Sequence, residues 1–177
     1  MAVSVTSCAG AQAPGPLDRF EATLARHASA TAALGEWCVT EGISPAPDIR
    51  ALPVVAEDRA PSPEVRAALA VGSEERLGYR HVRLVCGERV LSVAHNWYVP
   101  ARLSAAMNQA LETSDAPFGK VVAPLGYHRE ERPARRGGDD ACPAGTVLTK
   151  GAVLRLPDGR PIALVVECYT AGILPPQ

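Results

Sequence analysis

The alternation of apolar and polar residues along the chain indicates two β-hairpins. Residues Tyr79–Cys86 alternate, turn at a Gly-Glu pair, and resume the alternation over Val90–Val99. A second hairpin is predicted where Val153–Leu156 and Pro161–Tyr169 flank a Pro-Asp-Gly segment, because Asp-Gly is a preferred turn sequence between antiparallel strands. We therefore expect these four strands to belong to an antiparallel sheet.

Apolar residues at helical spacing predict helices before and between the hairpins. A first amphipathic helix begins near Leu17, and the Ser-Ala-Thr segment at 29–31 interrupts it and caps a second helix that contains Trp37. Two further helices are predicted, one after Ser62 and one after Ser104, since each serine can serve as an N-cap. Strand pairs with helices between them predict an α+β fold in which helices pack on an antiparallel sheet.

Three shorter segments have weaker patterns. A strand is predicted within Arg50–Ala56, and another at Lys120–Ala123 after a Pro-Phe-Gly turn. The charged segment Arg129–Asp140 contains four arginines whose charge is nearly cancelled by neighbouring acidic residues. We therefore expect this segment to be a solvated connection and not a basic binding patch.

The chain has the length of one domain, with 177 residues. We expect residues 17–174 to form this single domain, and residues 1–16 to be a disordered tail or a processed N-terminus. Residues 10–13 have the small-residue pattern of a signal-peptidase site, but neither a basic nor a strongly hydrophobic region precedes them. We expect a cytoplasmic protein, with export to the periplasm as the alternative if the N-terminus is the remnant of a signal.

The composition excludes several classes of protein. A hydrophobic content of 47% and a charged content of 21% are typical of a globular domain. The net charge of −1 argues against a nucleic-acid-binding protein, because such domains usually carry an excess of basic residues. No apolar run approaches the roughly 18 residues that a membrane span requires. We expect a monomer that neither binds nucleic acid nor spans a membrane.

The cysteines and histidines do not predict a metal site. The sequence contains five cysteines and four histidines, none at the spacing of a zinc site. An odd number of cysteines fits buried thiols, or one or two disulfides with one free thiol. The histidines are expected at the surface or half-buried on strands, and the residues concerned are His27, His81, His95 and His128.

Glu167 is a carboxylate in an otherwise apolar strand, and Arg80 shares one face of the first hairpin with Val82 and Leu84. A buried carboxylate requires a cation or hydrogen bonds. Three alternatives follow from these residues. Glu167 faces water, or it forms a structural ion pair with Arg80, or the two side chains stand across a cavity and bind the two ends of a small anionic ligand.

Several segments resemble bacterial chorismate pyruvate-lyase. The segments Tyr79–Cys86, Trp97–Pro100, Pro117–Lys120 and Gly159–Pro161, the last leading to Glu167, occur in the same order and at nearly the same spacing as in that family. The resemblance extends over roughly residues 17–174.

The resemblance implies an α+β domain with an enclosed cavity that binds a small aromatic or cyclohexadiene carboxylate. It implies a lyase that cleaves chorismate into 4-hydroxybenzoate and pyruvate without metal or organic cofactor, and thus a place in ubiquinone biosynthesis. By this resemblance Arg80 binds the ligand carboxylate, and Glu167 faces the ring oxygen, where it forms a hydrogen bond or assists proton movement. The main-chain amides of Ala30 and Phe118 are implied as further ligands of the carboxylate.

The alternative function is a non-catalytic binding module. The same fold serves as the effector-sensing domain of GntR-type transcription regulators. The sequence shows no N-terminal winged helix of the kind those regulators carry, so a free-standing sensor would require a partner protein. An exported relative that binds aromatic acids without cleaving them is a further form of this alternative.

Overall fold

The computed structural model describes residues 13–54 and 59–175. Most of the predicted N-terminal tail, the last two residues of the strand predicted within Arg50–Ala56, and Cys8 lie outside the described residues. The helices are α1 (Pro16–Arg26), α2 (Ala30–Thr40), α3 (Pro63–Ala68), α4 (Ala105–Thr113) and α5 (Phe118–Val122). The strands are β1 (Ile49–Pro53), β2 (Gly78–Cys86), β3 (Arg89–Tyr98), β4 (His128–Glu131), β5 (Arg135–Arg136), β6 (Thr146–Arg155) and β7 (Pro161–Thr170).

The described strands form one antiparallel sheet, which confirms the predicted α+β fold. Its order is β1-β2-β3-β7-β6-β4, and the two-residue β5 also pairs with β6. Both predicted hairpins are present as the pairs β2–β3 and β6–β7. The strand β7 lies in the interior of the sheet between β3 and β6, so Glu167 is held near the centre of the sheet and not at an edge.

The register of the sheet places the candidate residues in two neighbouring rows. Asn96 on β3 lies opposite Arg80 on β2 and opposite Val165 on β7. In the next row, Ala94 on β3 lies opposite Glu167. Because side chains two residues apart on a strand share a face, these residues all project to the same side of the sheet.

Helices cover both faces of the sheet. Residues of α1 and α2 pack against β2 and β3 around Phe20 and Trp37, whose rings meet edge to face with centroids 5.1 Å apart. Residues of α4 and α5 pack against β6 and β7 on the same face. On the opposite face, Leu69 next to α3 packs over Trp97 and Leu164.

The predicted helix starts are confirmed by their capping bonds. The hydroxyl oxygens of Ser29, Ser62 and Ser104 accept hydrogen bonds from backbone amides at the starts of α2, α3 and α4, at distances of 3.3, 3.3 and 3.2 Å. Each serine satisfies one of the amides that the first turn of a helix leaves without an intrahelical partner.

The predicted strand at Lys120–Ala123 is wrong, because this segment lies within and just after α5. The consecutive β-branched residues Val121 and Val122 suggested a strand. Pro117 instead begins a short helix, and Phe118 and Val122 face the core together at the i, i+4 spacing of a helix. Residues 120–122 therefore belong to a helix that packs on the sheet, and not to a strand within it.

The prediction that Arg129–Asp140 is a solvated connection is wrong in part, because most of its side chains are exposed but it is not an irregular loop. The segment contains β4 and β5, which pair with β6. The Arg129 side chain is only 10% exposed and is turned toward the sheet. Arg136 forms ion pairs with Asp18 and Glu21 of α1, so several of the arginines have specific partners.

The described cysteines are all paired. One disulfide joins Cys38 of α2 to Cys86 of β2, with the two Cα atoms 6.3 Å apart. The other joins Cys142, in the segment before β6, to Cys168 of β7, with a Cα separation of 5.5 Å. Each bridge ties a peripheral segment to the sheet. Among the described helices, none has the length and apolar character needed to cross a membrane.

Candidate functional site

A cavity of about 30 Å³ lies between the sheet and the first turns of α2 and α5. Its apolar wall is formed by β2, β3, β6 and β7, through Val82, Leu84, Ala94, Leu154 and Val165. A space of this size holds one or two water molecules, whereas sites for small organic ligands usually enclose about 300–1,000 Å³. In this structure the cavity is therefore smaller than a small organic ligand requires.

Glu167 forms part of the polar wall of this cavity. Its side chain is 8% exposed, and its Oε2 atom accepts a hydrogen bond from Arg129 at 3.2 Å and another from the Tyr169 hydroxyl at 3.0 Å. Its Oε1 atom accepts no hydrogen bond from any residue in the described part of the chain. One carboxylate oxygen is thus engaged and the other is available to a ligand.

Arg129 supplies the positive charge beside Glu167. Its Nε atom also donates to Glu131 at 2.8 Å, and the Lys150 ammonium lies 3.4 Å from the same carboxylate. Burial acts to lower the pKa of Arg129, but the attraction of Glu167 and the hydrogen bond to Glu131 outweigh it and raise that pKa. Burial, reinforced by Glu167, raises the pKa of the Tyr169 hydroxyl well above its usual value. Arg129 is therefore charged and Tyr169 is neutral.

Arg80 lies on the cavity face of the sheet but does not line the cavity. Its guanidinium donates to the carbonyl oxygens of Ser114 and Ala116 at 2.9 and 2.8 Å. Burial lowers its pKa from the usual value. The structural ion pair between Arg80 and Glu167 does not form, and Arg129 occupies the place of the expected partner.

Ala30 and Phe118 both line the cavity, as the first residues of α2 and α5. Backbone amides at the first positions of a helix have no intrahelical acceptor, so they are donors available to a ligand. Of the residues predicted from the sequence, Glu167, Ala30 and Phe118 meet at the cavity. Arg80 does not, because its guanidinium binds the segment that leads into α5.

Besides Arg129, four further polar residues at the cavity were missed by the sequence analysis. They are Ser29, Thr31, Asn96 and Tyr127. Burial raises the pKa of Tyr127, and Arg129 and a hydrogen bond with Ser29 oppose this rise. Asn96 could have been noticed, because asparagine is uncommon within strands. No local pattern marked the other three, since tertiary packing brings them to the site.

The opposite face of the sheet carries a row of aromatic rings. His81 and His95 stack with centroids 4.2 Å apart, and the hydroxyl of Tyr79 lies 2.8 Å from Nδ1 of His95. His95 is 1% exposed, so the prediction of a surface or half-buried residue is wrong at this position. Burial and the neighbouring His81 lower its pKa to about 4. Among the described residues, no cluster of three His, Cys, Asp or Glu side chains is arranged to hold a metal ion.

Solved structures of transcriptional regulators share this fold. PhnF from Mycobacterium smegmatis matches with a TM-score of 0.55 and 11% identity, over 72% of this chain and 60% of PhnF. The effector domain of PhnF alone matches with a TM-score of 0.53 and 12% identity, over 70% of this chain and 81% of that domain. A GntR-family regulator from Enterococcus faecalis V583 matches with a TM-score of 0.51 and 16% identity, over 72% of this chain and 96% of the other.

These similarities establish a chorismate lyase-like fold, and they correct the predicted function. The similar structures are regulator domains and not lyases, so the prediction of a chorismate-cleaving enzyme in ubiquinone biosynthesis is wrong. The site has a physical feature that agrees with this correction. Arg80, which would bind the substrate carboxylate, donates instead to two backbone carbonyls.

Sequence comparison gives a relative at higher identity. No family model matches the chain. The uncharacterized protein y4mC of Sinorhizobium fredii is 40% identical, over 89% of this chain and 75% of y4mC. At this identity and coverage, the chain belongs to the same protein family as y4mC of Sinorhizobium fredii.

Proposed function

We propose that the chain is a non-catalytic domain that binds a small organic molecule in the cavity between the sheet and the starts of α2 and α5. The observation that carries this proposal is the polar wall of the cavity. A buried carboxylate with one free oxygen faces two helix starts across an apolar space, which is the arrangement of a ligand site. The regulator domains of similar fold, one of which is an effector domain, support ligand binding without catalysis.

We propose that the ligand carries an acidic group at one end, and a small aromatic carboxylate is the first candidate. The amides of Ala30 and Phe118 would hold the carboxylate, because helix N-termini favour anions. Glu167 would accept a hydrogen bond from the other end of the ligand. Arg80 would act indirectly, since its bonds to the carbonyls of Ser114 and Ala116 fix the segment that leads into α5.

Ligand entry requires the cavity to widen. A groove of about 390 Å³ lies outside the helix starts, and it shares Ser29, Thr31, Gly119 and Tyr127 with the cavity wall. Displacement of these four residues would join the groove to the cavity. The joined space would reach the usual size of a small-molecule site.

The cysteine pairs bear on the compartment. The sequence predicts the cytoplasm, with export as the alternative, and the paired cysteines Cys38–Cys86 and Cys142–Cys168 favour export. Disulfides persist in oxidising compartments and are rare in the cytosol. The proposal predicts that protein isolated from its native host without reductant has four cysteines resistant to alkylation.

The prediction that the chain does not itself bind nucleic acid rests on its net charge of −1 and stays a prediction.

Isothermal calorimetry with a panel of small aromatic acids, including 4-hydroxybenzoate, tests the proposed function. We expect saturable binding to the wild-type chain and recovery of the acid unchanged after incubation. Glu167→Gln should weaken binding at least tenfold, because it replaces the charged acceptor. Glu112→Gln is the matched control outside the cavity and should leave the affinity unchanged. A folded wild-type chain that binds none of these acids, or equal affinities for the wild type and Glu167→Gln, would contradict the proposal.

A further inference from the structure

Asn96 is a buried residue whose side-chain amide has no hydrogen-bond partner among the described residues. It is 4% exposed, lines the cavity from β3, and forms no hydrogen bond through its side chain to any residue in the described ranges. The buried threonines of the same sheet differ in this respect. Thr146 donates to the carbonyl of Pro143 at 2.7 Å, and Thr149 donates to that of Gly137 at 2.8 Å.

The polar atoms of the Asn96 amide are not fully enclosed, so the cavity leaves them room for a water or a ligand atom, while the fold supplies no side-chain hydrogen bond to them among the described residues. Folded proteins pair almost all buried polar groups, and an exception requires a specific explanation such as bound water or a ligand. Asn96 does not stabilise the strand either. Asparagine is disfavoured in strands, and an aliphatic residue would pack better against Val165. The presence of an amide at this position therefore points to a role outside folding.

The neighbours of Asn96 define what it can bind. It occupies the row of the sheet next to that of Glu167, on the same face, so the two side chains are diagonal neighbours on adjacent strands. Together they present two acceptor oxygens, Oδ1 of Asn96 and Oε1 of Glu167, and one donor group, Nδ2 of Asn96. The cations of the region are already engaged, Arg129 with Glu167 and Glu131, and Arg80 with backbone carbonyls.

We propose that Asn96 is the specificity-determining residue of the cavity, and that with Glu167 it selects ligands bearing an uncharged hydroxyl or amide N–H group at this end. This inference rests on the proposed function and names its ligand class more closely. A hydroxyl donates to Oε1 of Glu167 and accepts from Nδ2 of Asn96, so it satisfies both side chains. A ligand with a second carboxylate at this end is excluded, because its charge would face the charge of Glu167 while Arg129 and Arg80 are already engaged.

The first test uses the ligand-free protein and needs no ligand. Asn96→Leu replaces the unpaired amide by an apolar group of similar size, so it should raise the midpoint of thermal unfolding by roughly 3 °C. Thr149→Val is the matched control in the same sheet, and it should lower the midpoint because it removes a hydrogen bond to the Gly137 carbonyl. A lower midpoint for Asn96→Leu would mean that the amide stabilises the fold, and this would overturn the proposal.

The second test measures discrimination between 4-hydroxybenzoate and benzoate, which differ only by the hydroxyl group. The wild-type chain should bind 4-hydroxybenzoate at least tenfold more tightly, and Asn96→Leu should reduce this ratio to about one while it still binds benzoate. An unchanged ratio in Asn96→Leu overturns the proposal. If neither protein binds either acid, the proposed function fails for this ligand class, and the unfolding midpoint of ligand-free Asn96→Leu alone decides the role of Asn96.

Discussion

Glu167 and the cations near it show how single residues determine the character of the cavity. Arg80 and Arg129 both reach the cavity side of the sheet, but only Arg129 contacts the carboxylate. Arg80 donates its hydrogen bonds to two backbone carbonyls instead. The carboxylate is thereby neutralised from the β4 side, and its second oxygen accepts no hydrogen bond from any described residue.

Arg129→Met should strongly destabilise the protein. It leaves Glu167 buried without its cation, and breaking a buried ion pair in this way costs about 3–5 kcal/mol. Arg129→Met combined with Glu167→Leu should recover most of this loss, because no charge is then left unpaired. Urea denaturation measures both effects, with Arg132→Met at a nearby exposed position as the control. A loss no larger than that of the control would contradict the structural role of the pair.

His95 should make stability depend on pH. Its pKa is lowered from 6.5 to about 4 in the folded state, mainly by burial, so the unfolded chain binds more protons between these values. Its contribution to stability is complete above about pH 6.5 and is lost as the pH falls to about 4, by about 3 kcal/mol. His95→Gln should remove this part of the pH dependence in urea titrations, and His128→Gln, at an exposed strand position, should not. Identical pH profiles for the wild type and His95→Gln would refute the assignment.

At the scale of elements, α5 and β4 were predicted incorrectly, and both help to form the site. Val121 and Val122 are β-branched, which favours a strand. They nevertheless form part of a five-residue helix, and because so short a helix has little stability of its own, tertiary packing must stabilise it. The arginine-rich segment at β4 looked solvated because charges near in sequence cancel. Arg129 instead pairs with Glu167, which is 38 residues away.

Gly119 of α5 permits the close approach of Tyr127 to the starts of α2 and α5. A Cβ atom at this position would lie 2.9 Å from the Tyr127 hydroxyl and 3.6 Å from the Ser29 hydroxyl. Gly119→Ala should therefore displace Tyr127 toward the open position that ligand entry requires. It should strengthen ligand binding by about tenfold, because less binding energy is then spent on opening the cavity.

Adding Tyr127→Phe to Gly119→Ala removes the clashing oxygen and should return the affinity part of the way to that of the wild type. Gly72→Ala is the matched control, because a Cβ there has no neighbour within 4 Å. Calorimetry with the acid that binds the wild type provides the measurement. Equal affinity for Gly119→Ala and the wild type would show that the contact of Tyr127 with Gly119 does not hold the cavity closed.

At the scale of the whole molecule, the disulfides hold the outer layers to the sheet. The Cys38–Cys86 bridge spans 48 residues and fixes α2, whose first turn closes the cavity. The Cys142–Cys168 bridge spans 26 residues and fixes the segment before β6. Both bridges end on strands that line the cavity, so the sheet and α2 are covalently restrained, whereas α5 is held at the cavity by non-covalent contacts.

Removing each bridge as a Cys-to-Ala pair should lower the free energy of unfolding by about 4 kcal/mol for Cys38–Cys86 and by roughly 3.5 kcal/mol for Cys142–Cys168, from the loop-closure relation. Guanidinium titrations of the two double variants measure these values. Wild-type protein treated with dithiothreitol should lose stability in the same order. A variant as stable as the wild type would show that its bridge does not form in solution.

Local sequence patterns were sufficient to predict many of the strands and helix starts of this protein. The alternation over Tyr79–Cys86 and Val90–Val99 was sufficient for the first hairpin, and serine caps were sufficient for the helix starts, because both depend on near neighbours in the chain. The shared face of Arg80 and Val82 followed from strand periodicity.

Only the tertiary structure decided the partners of the buried polar groups. That Glu167 pairs with Arg129, that Arg80 binds carbonyl groups, and that Asn96 meets the starts of α2 and α5 all depend on contacts between distant segments. Such contacts follow from the order of strands in the sheet and from helix packing, which no local pattern encodes. The sequence therefore determined the α+β frame, and the packing of its distant segments decided which buried groups are left free to bind a ligand.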